Sequence, residues 1–193
     1  MTLKELNQKI SQCEKCELCK TRTNVVCGSG SDQSEIMFVG EGPGKKEDEA
    51  GLPFVGSAGK ILDELIESIK LKREDVFIAN VVKCRPPENR DPKPEEVIMC
   101  KDWLNQQIEI IKPKLIVLLG RHSMDRFLPG QKISEDHGKP KRYNGRIYYP
   151  VYHPAATLYK RSLLEDLQND FQKIPKIIKE IKKDEIEEVK EAV

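Results

Sequence analysis

Four short stretches are almost wholly apolar: residues 36–40 (IMFVG), 76–82 (VFIANVV), 115–120 (LIVLLG) and 147–152 (IYYPVY). They are too short for helices and lack alternation, so they read as strands covered on both faces. Strands of that kind need helices above and below. The stretches between them supply these. Residues 57–71 open on a Ser cap and place Ile61, Leu62, Leu65, Ile66 and Ile69 on one side. Residues 94–111 open on Pro at a first helical position, and residues 162–181 form a last amphipathic helix with an expected kink near Pro175. The first ten residues, MTLKELNQKI, alternate charge with Leu and Ile as a short amphipathic helix does. The expected fold class is α/β: a three-layer α/β/α sandwich around a mainly parallel four-stranded central sheet.

The chain of 193 residues suffices for one well-packed domain. We expect it over residues 1–178, with a cysteine-bearing N-terminal segment. Residues 179–193, ten of them Lys, Glu or Asp with Ile181, Ile186 and Val189 interspersed, form a charged tail expected as a solvated or frayed helix. No apolar run is long enough for a membrane span, and the N-terminus lacks the apolar centre of a secretory signal. A cytoplasmic chain with no membrane partner is the expectation. A net charge of +1 neither demands nor excludes nucleic acid.

In open α/β sheets, ligands bind beyond the carboxyl ends of the strands. The unusual residues fall there. Gly40-Glu41-Gly42-Pro43-Gly44 and Glu47 follow the first strand, Asn80 lies within the second, Gly120-Arg121-His122 follow the third and His153-Pro154-Ala155-Ala156 the fourth. The glycine-rich turn is equally readable as an ordinary strand-to-helix connection. Asn80 sits in an apolar strand, where an unpartnered amide costs a few kcal/mol, so it is either a satisfied structural residue or a ligand contact. His153 lies at the rim between a buried strand and a proline. His122 reads as a helix cap and His137 as a residue of an exposed polar loop.

Of six cysteines, Cys13, Cys16 and Cys19 are three apart, Cys27 follows, and Cys84 and Cys100 lie far downstream. Such usage in a cytosolic chain suits metal ligation better than disulfides. Spacing alone leaves zinc and an iron–sulfur cluster open, and also leaves open a local site on Cys13, Cys16, Cys19 and Cys27.

Taken together, CEKC at 13–16, GEGPG with Glu47-Asp48, GLPFVGSAG at 51–59, NVVKCRPPENR at 80–90, Cys100 and HPAA at 153–156 resemble the family 4 uracil-DNA glycosylases, the iron–sulfur branch. The resemblance runs from about Leu3 to Phe171. It implies a [4Fe-4S] cluster on Cys13, Cys16, Cys84 and Cys100, leaving Cys19 and Cys27 as packing thiols. It implies hydrolysis of the glycosidic bond of flipped-out uracil in single- or double-stranded DNA, leaving an abasic site. Phe54 would stack on the base, Asn80 would read its edge, and His153 would stabilise charge growing on O2. Backbone groups at Gly40, Glu41 and Gly42 would assist. The best-known uracil glycosylases carry a water-positioning Asp where this chain has Gly42, so Glu41 or Glu47 is the candidate for that role.

DNA contacts are expected from Arg85, from Leu158 as a wedge or as a core residue, from Lys160 and Arg161, and from the basic stretch Lys139–Arg142. A monomer is expected. A sliding clamp is a candidate partner, although no convincing clamp-binding motif is visible. Two other readings stand beside this one: a glycosylase of broader specificity for deaminated bases, and a noncatalytic nucleic-acid-binding protein with zinc on its cysteines.

Overall fold

The computed structural model describes residues 1–183. Its six strands are β1 (Ser29–Gly30), β2 (Ile36–Gly40), β3 (Phe77–Asn80), β4 (Leu115–Leu119), β5 (Lys141–Tyr143) and β6 (Arg146–Val151). They lie in one sheet in the order β1-β3-β2-β4-β6-β5. The four strands expected from sequence are the central ones, all parallel. The sheet is wider than four strands because an antiparallel edge is added at each side. Neither edge strand has an apolar signature: one is two residues long and the other reads Lys-Arg-Tyr.

Alternation along the central strands sorts the core into two layers. Met37, Val39, Ile116 and Leu118 face one side, where they pack with Leu6 and Ile10 of α1 (Leu3–Ser11) and with Leu104 and Ile108 of α4 (Pro94–Ile111). Phe38, Ile78, Val117 and Tyr149 face the other, against Leu62 and Ile66 of α3 (Ser57–Ser68) and Leu167 and Phe171 of α8 (Ser162–Lys182). Phe38 and Phe171 stack at 5.6 Å. Both faces are covered, which is why these strands read as unbroken apolar runs.

Helix α8 continues through Pro175. Residues 179–182 of the expected tail belong to it, and the tail from 184 onward lies outside the described residues. Four short helices join the elements: α2 (Lys45–Ala50), α5 (Arg121–Phe127), α6 (Ile133–Asp136) and α7 (Ala156–Tyr159). Three of them, α2, α5 and α7, directly follow the rim segments at the ends of β2, β4 and β6.

β5 and β6 form a hairpin whose turn is Asn144-Gly145, with φ of 49° and 70°. That is the left-handed pair such a two-residue turn requires. β5 begins at Lys141 opposite Tyr148, so Pro150 lies beyond it, and the Pro150 carbonyl accepts from Gly138 N at 2.9 Å. The basic stretch 139–142 is thus partly strand, and the Lys141 ammonium is paired with Asp136 at 2.6 Å. His137 is not loose in a polar loop as expected. Its Nδ1 lies 2.7 Å from the buried Asp170 carboxylate, and its ring packs on Tyr152 at 4.4 Å. Among the described residues, no helix is long and apolar enough to cross a membrane.

Candidate active site and cysteine cavity

The carboxyl ends of β2, β3 and β6 open onto a cleft of about 360 Å³ lined by Glu41, Gly42, Glu47, Phe54, Asn80 and His153. These residues come from four separate parts of the sequence, and the parallel sheet brings them to one rim.

Asn80 closes β3 and is buried. Its Oδ1 accepts no hydrogen bond among the described residues. A buried amide oxygen without a donor is costly, which favours a donor arriving from outside. The oxygen is crowded from one side: a Cβ on Gly40 would stand 2.5 Å from Asn80 Oδ1 and 2.7 Å from Phe54 Cζ. Glycine at 40 is what lets the amide and the aromatic ring approach the same strand end.

Phe54 adopts a left-handed backbone, φ 52°, which a bulky side chain adopts at a cost of roughly 1–3 kcal/mol. The conformation is held from outside. Glu47, on α2, accepts from Val55 N at 2.9 Å and Gly56 N at 2.8 Å, so its carboxylate fastens the loop just after the ring. The neighbouring Asp48 is buried and accepts from Thr23 N at 2.9 Å and Asn24 N at 3.3 Å. Two consecutive residues of α2 therefore tie down the Phe54 loop and the cysteine-bearing segment.

His153 packs its ring against Phe54, centroids 5.6 Å apart. Its Nδ1 accepts from Ala155 N at 3.1 Å, which leaves the proton on Nε2. Burial, with His122 adding and Glu47 opposing, pushes its pKa down to about 4. At neutral pH the ring is uncharged and offers an Nε2–H.

Glu41 lies in a rim network. Its carboxylate is 3.7 Å from His122 Nε2, which lies 3.1 Å from Asp91. Burial pushes the Glu41 carboxyl up, with His122 and Arg121 opposing and Asp91 adding. His122 thus pairs with rim carboxylates and makes no cap, since α5 has no side-chain cap.

Asn89 and Arg90, given no role from sequence, also line the cleft, as does Tyr159 of the segment expected to wedge into DNA. Arg90 makes a two-pronged pair with Glu96 at 2.7 and 2.9 Å, and Asn89 Oδ1 accepts from Arg85 Nε at 2.7 Å. The signal available was the run of polar residues after Pro86-Pro87. Leu158 is 54% exposed and Tyr159 92%, so the core reading of Leu158 fails; Thr157 is the buried residue of that turn. Lys160 and Arg161 are exposed beside them.

On the α1–α4 side of the sheet, a second cavity is lined by Cys13, Cys16, Cys19, Cys84 and Cys100. Cys13 and Cys16 follow α1, Cys84 follows β3, and Cys100 is on α4. Cys27 does not line it and instead approaches Asn7 O at 3.6 Å, which removes it from a local four-cysteine site. Arg22 Nη1 donates to Cys84 Sγ at 3.1 Å and Trp103 Nε1 to Cys13 Sγ at 3.1 Å. The Arg22 donor favours thiolate over thiol at Cys84. Burial does the reverse, raising Cys16 and Cys84 and pushing Cys100 up to about 11. Coordination by a metal would displace the protons of buried thiols of this kind, and donors placed as these are would then bond the ligating sulfurs.

Residues 27–181 match the family model described as "Uracil DNA glycosylase superfamily". Three curated proteins named "Type-4 uracil-DNA glycosylase" illustrate the similarity. The one from Archaeoglobus fulgidus is 48% identical over 182 residues, covering 90% of this chain and 92% of that protein. The one from Sulfurisphaera tokodaii is 45% identical, covering 90% of this chain and 83% of that protein. The one from Thermotoga maritima is 45% identical, covering 84% and 90%. The sheet order, the rim and these matches lead to one assignment: the chain belongs to the uracil-DNA glycosylase superfamily, in its type-4 branch.

Proposed function

We propose that this chain is a DNA-repair glycosylase that hydrolyses the bond between uracil and deoxyribose, acting as a monomer on a base turned out of the strand. The observation that carries the reading is the buried, donorless Oδ1 of Asn80 at the floor of the cleft. Uracil presents an N3–H beside its O4, which complements an amide presenting Oδ1 beside Nδ2–H. Cytosine presents the opposite pattern and would leave both groups unpaired, a mismatch that buried polar sites reject strongly.

Phe54 stacks on the base, held there by Glu47 through the backbone of Val55 and Gly56. As the glycosidic bond breaks, its electron pair moves onto the base and negative charge grows at O2. His153 donates its Nε2–H to that oxygen, and backbone groups at Gly40, Glu41 and Gly42 line the same side. A neutral imidazole is suited to donating a hydrogen bond without transferring its proton. Water ordered by Glu41 attacks C1′ of the sugar, its proton passing to the Glu41 carboxylate and on to solvent as uracil departs with the electron pair of the broken bond. Glu47 acts by fixing the loop. Leu158 enters the space left by the flipped base, while Lys160, Arg161 and Arg85 meet phosphates.

Cys13, Cys16, Cys84 and Cys100 would hold a [4Fe-4S] cluster, and a cavity walled by these thiols, with Arg22 and Trp103 donating to two of their sulfurs, fits that group. Bound there, it would supply a structural staple joining α1, the exit of β3 and α4, since hydrolysis needs no electrons.

The test is excision of uracil from a labelled oligonucleotide by the wild type, Asn80→Asp and His153→Ala, with a panel of other deaminated bases alongside. Both variants should be strongly impaired and uracil strongly preferred; full activity in both would overturn the site. About four irons per chain, with an absorbance band at about 400 nm, would support the cluster over zinc.

A further inference from the structure

Lys83 is fully buried, and its Nζ bridges two groups: it donates to the backbone carbonyl of Asn80 at 2.9 Å and to Gln107 Oε1 at 2.6 Å. Gln107, buried on α4, in turn donates from Nε2 to the Cys27 carbonyl at 2.5 Å. A buried lysine without a carboxylate partner is rare in a core, and neither residue has a part in the glycosidic chemistry derived above.

The sheet explains why they are there. β1 pairs antiparallel with β3, Ser29 opposite Ile78, a register that continued would set Cys27 opposite Asn80. β1 is only two residues long and begins after Cys27. Val81 N donates to Gly40 O at 2.9 Å, so the β2 side of β3 is served and the Asn80 carbonyl turns toward the side that β1 leaves open. Lys83 and Gln107 fill that opening. They replace the missing rung, one taking the Asn80 carbonyl and the other the Cys27 carbonyl, and they take hold of each other between.

The geometry points to Lys83 and Gln107 as positioning residues for Asn80: a two-side-chain rung that fixes the backbone of the base-reading amide and ties it to the helix carrying Cys100. Lys83 also lines the cysteine cavity, so one side chain touches the wall of the sulfur site and the backbone of the amide that faces the cleft. With the rung gone, the strand end could shift relative to Phe54 and His153, and displacements near 1 Å can cost roughly 100-fold in rate. The inference rests on Asn80 contacting the base.

The experiment uses iron-loaded Lys83→Met and Gln107→Leu, with Asn80→Ala as reference. Iron content, affinity for an abasic duplex, inhibition by free uracil and single-turnover excision are measured well below the melting midpoint. Lys83→Met should retain its irons and its abasic-duplex affinity while inhibition by uracil weakens and excision slows, each by roughly 10- to 100-fold. Gln107→Leu should move both in the same direction by less. A residue that only stabilises the fold would lower the melting midpoint and leave uracil inhibition unchanged. Wild-type excision and uracil inhibition in iron-loaded Lys83→Met overturn the inference. Should that variant lose its irons or fail to fold, unchanged uracil inhibition in Gln107→Leu overturns it instead. Full activity in Asn80→Ala would instead sink the base-reading role itself.

Discussion

The cleft and the cysteine cavity lie close along the chain, with Asn80 in one and Cys84 in the other, yet their polar groups are in opposite states. In the cleft, the groups aimed inward are unspent: Asn80 Oδ1 has no donor among the described residues, and His153 keeps an Nε2–H. In the cavity the donors are committed, Arg22 and Trp103 already bonding sulfur. Unspent groups suit a ligand that comes and goes, because its arrival completes them. Committed donors suit a permanent resident, because they stabilise its ligands continuously.

The contrast breaks first at the cavity. Cys100→Ala should abolish stoichiometric iron and lower the melting midpoint by roughly 10 °C, the shift expected for a loss of about 3 kcal/mol in a chain of this length. Retention of four irons would remove Cys100 from the ligand set. At the cleft, His153→Ala should keep its irons and slow single-turnover excision by about 10²- to 10³-fold, the usual cost of removing one oxyanion donor. Glu47→Ala tests whether that carboxylate acts through the loop. It should cost about tenfold, as expected for losing charge-assisted bonds to two backbone N–H groups, and the rate should not depend on the buffer as a base catalyst's would.

A smaller effect separates the regions by pH. His153 has its folded pKa near 4, below the 6.5 of an unperturbed histidine. Below 6.5 the unfolded chain takes up a proton that the folded ring refuses. The stability that the neutral ring allows is therefore present above pH 6.5 and lost as pH falls from there toward 4. Melting midpoints followed over this window should show a slope that His153→Gln reduces. The least effect is expected at the surface. Neutralising Lys160 or Arg161 should reduce the salt slope of DNA binding by about one each, whereas Lys141→Gln, whose ammonium is paired with Asp136, should leave it unchanged.

The cleft was the more legible region. Strands covered on both faces announce themselves as apolar runs, and the rule that ligands collect at their carboxyl ends placed Glu41, Asn80 and His153 together before any contact was known. The loop anchoring by Glu47 was hidden, because its partners are backbone N–H groups that no side-chain pattern marks. The edge strands were hidden by brevity and charge, although Asn144-Gly145 between two short alternating stretches is a hairpin signal that could have revealed β5. The cysteine site was legible only through resemblance. Its proposed ligands come from three segments, and spacing could not distinguish Cys19, which lines the cavity, from the proposed set. Lys83 was legible as a residue at the exit of the second strand, but not its burial: a lysine beside a cysteine looks like surface, and the unfilled rung beside Asn80 is visible only in the structure.

Pro150 has a consequence beyond the hairpin that leaves it uncovered. β5 reaches only Tyr148, so beyond it the last residues of β6 have no paired strand on that side, and an unpaired margin of that kind is one that a second strand can extend. Pro150 turns its nitrogen toward that margin and has no hydrogen to offer, while Gly138 already occupies its carbonyl. The last rung of that margin therefore offers neither a donor nor a free acceptor to an added strand.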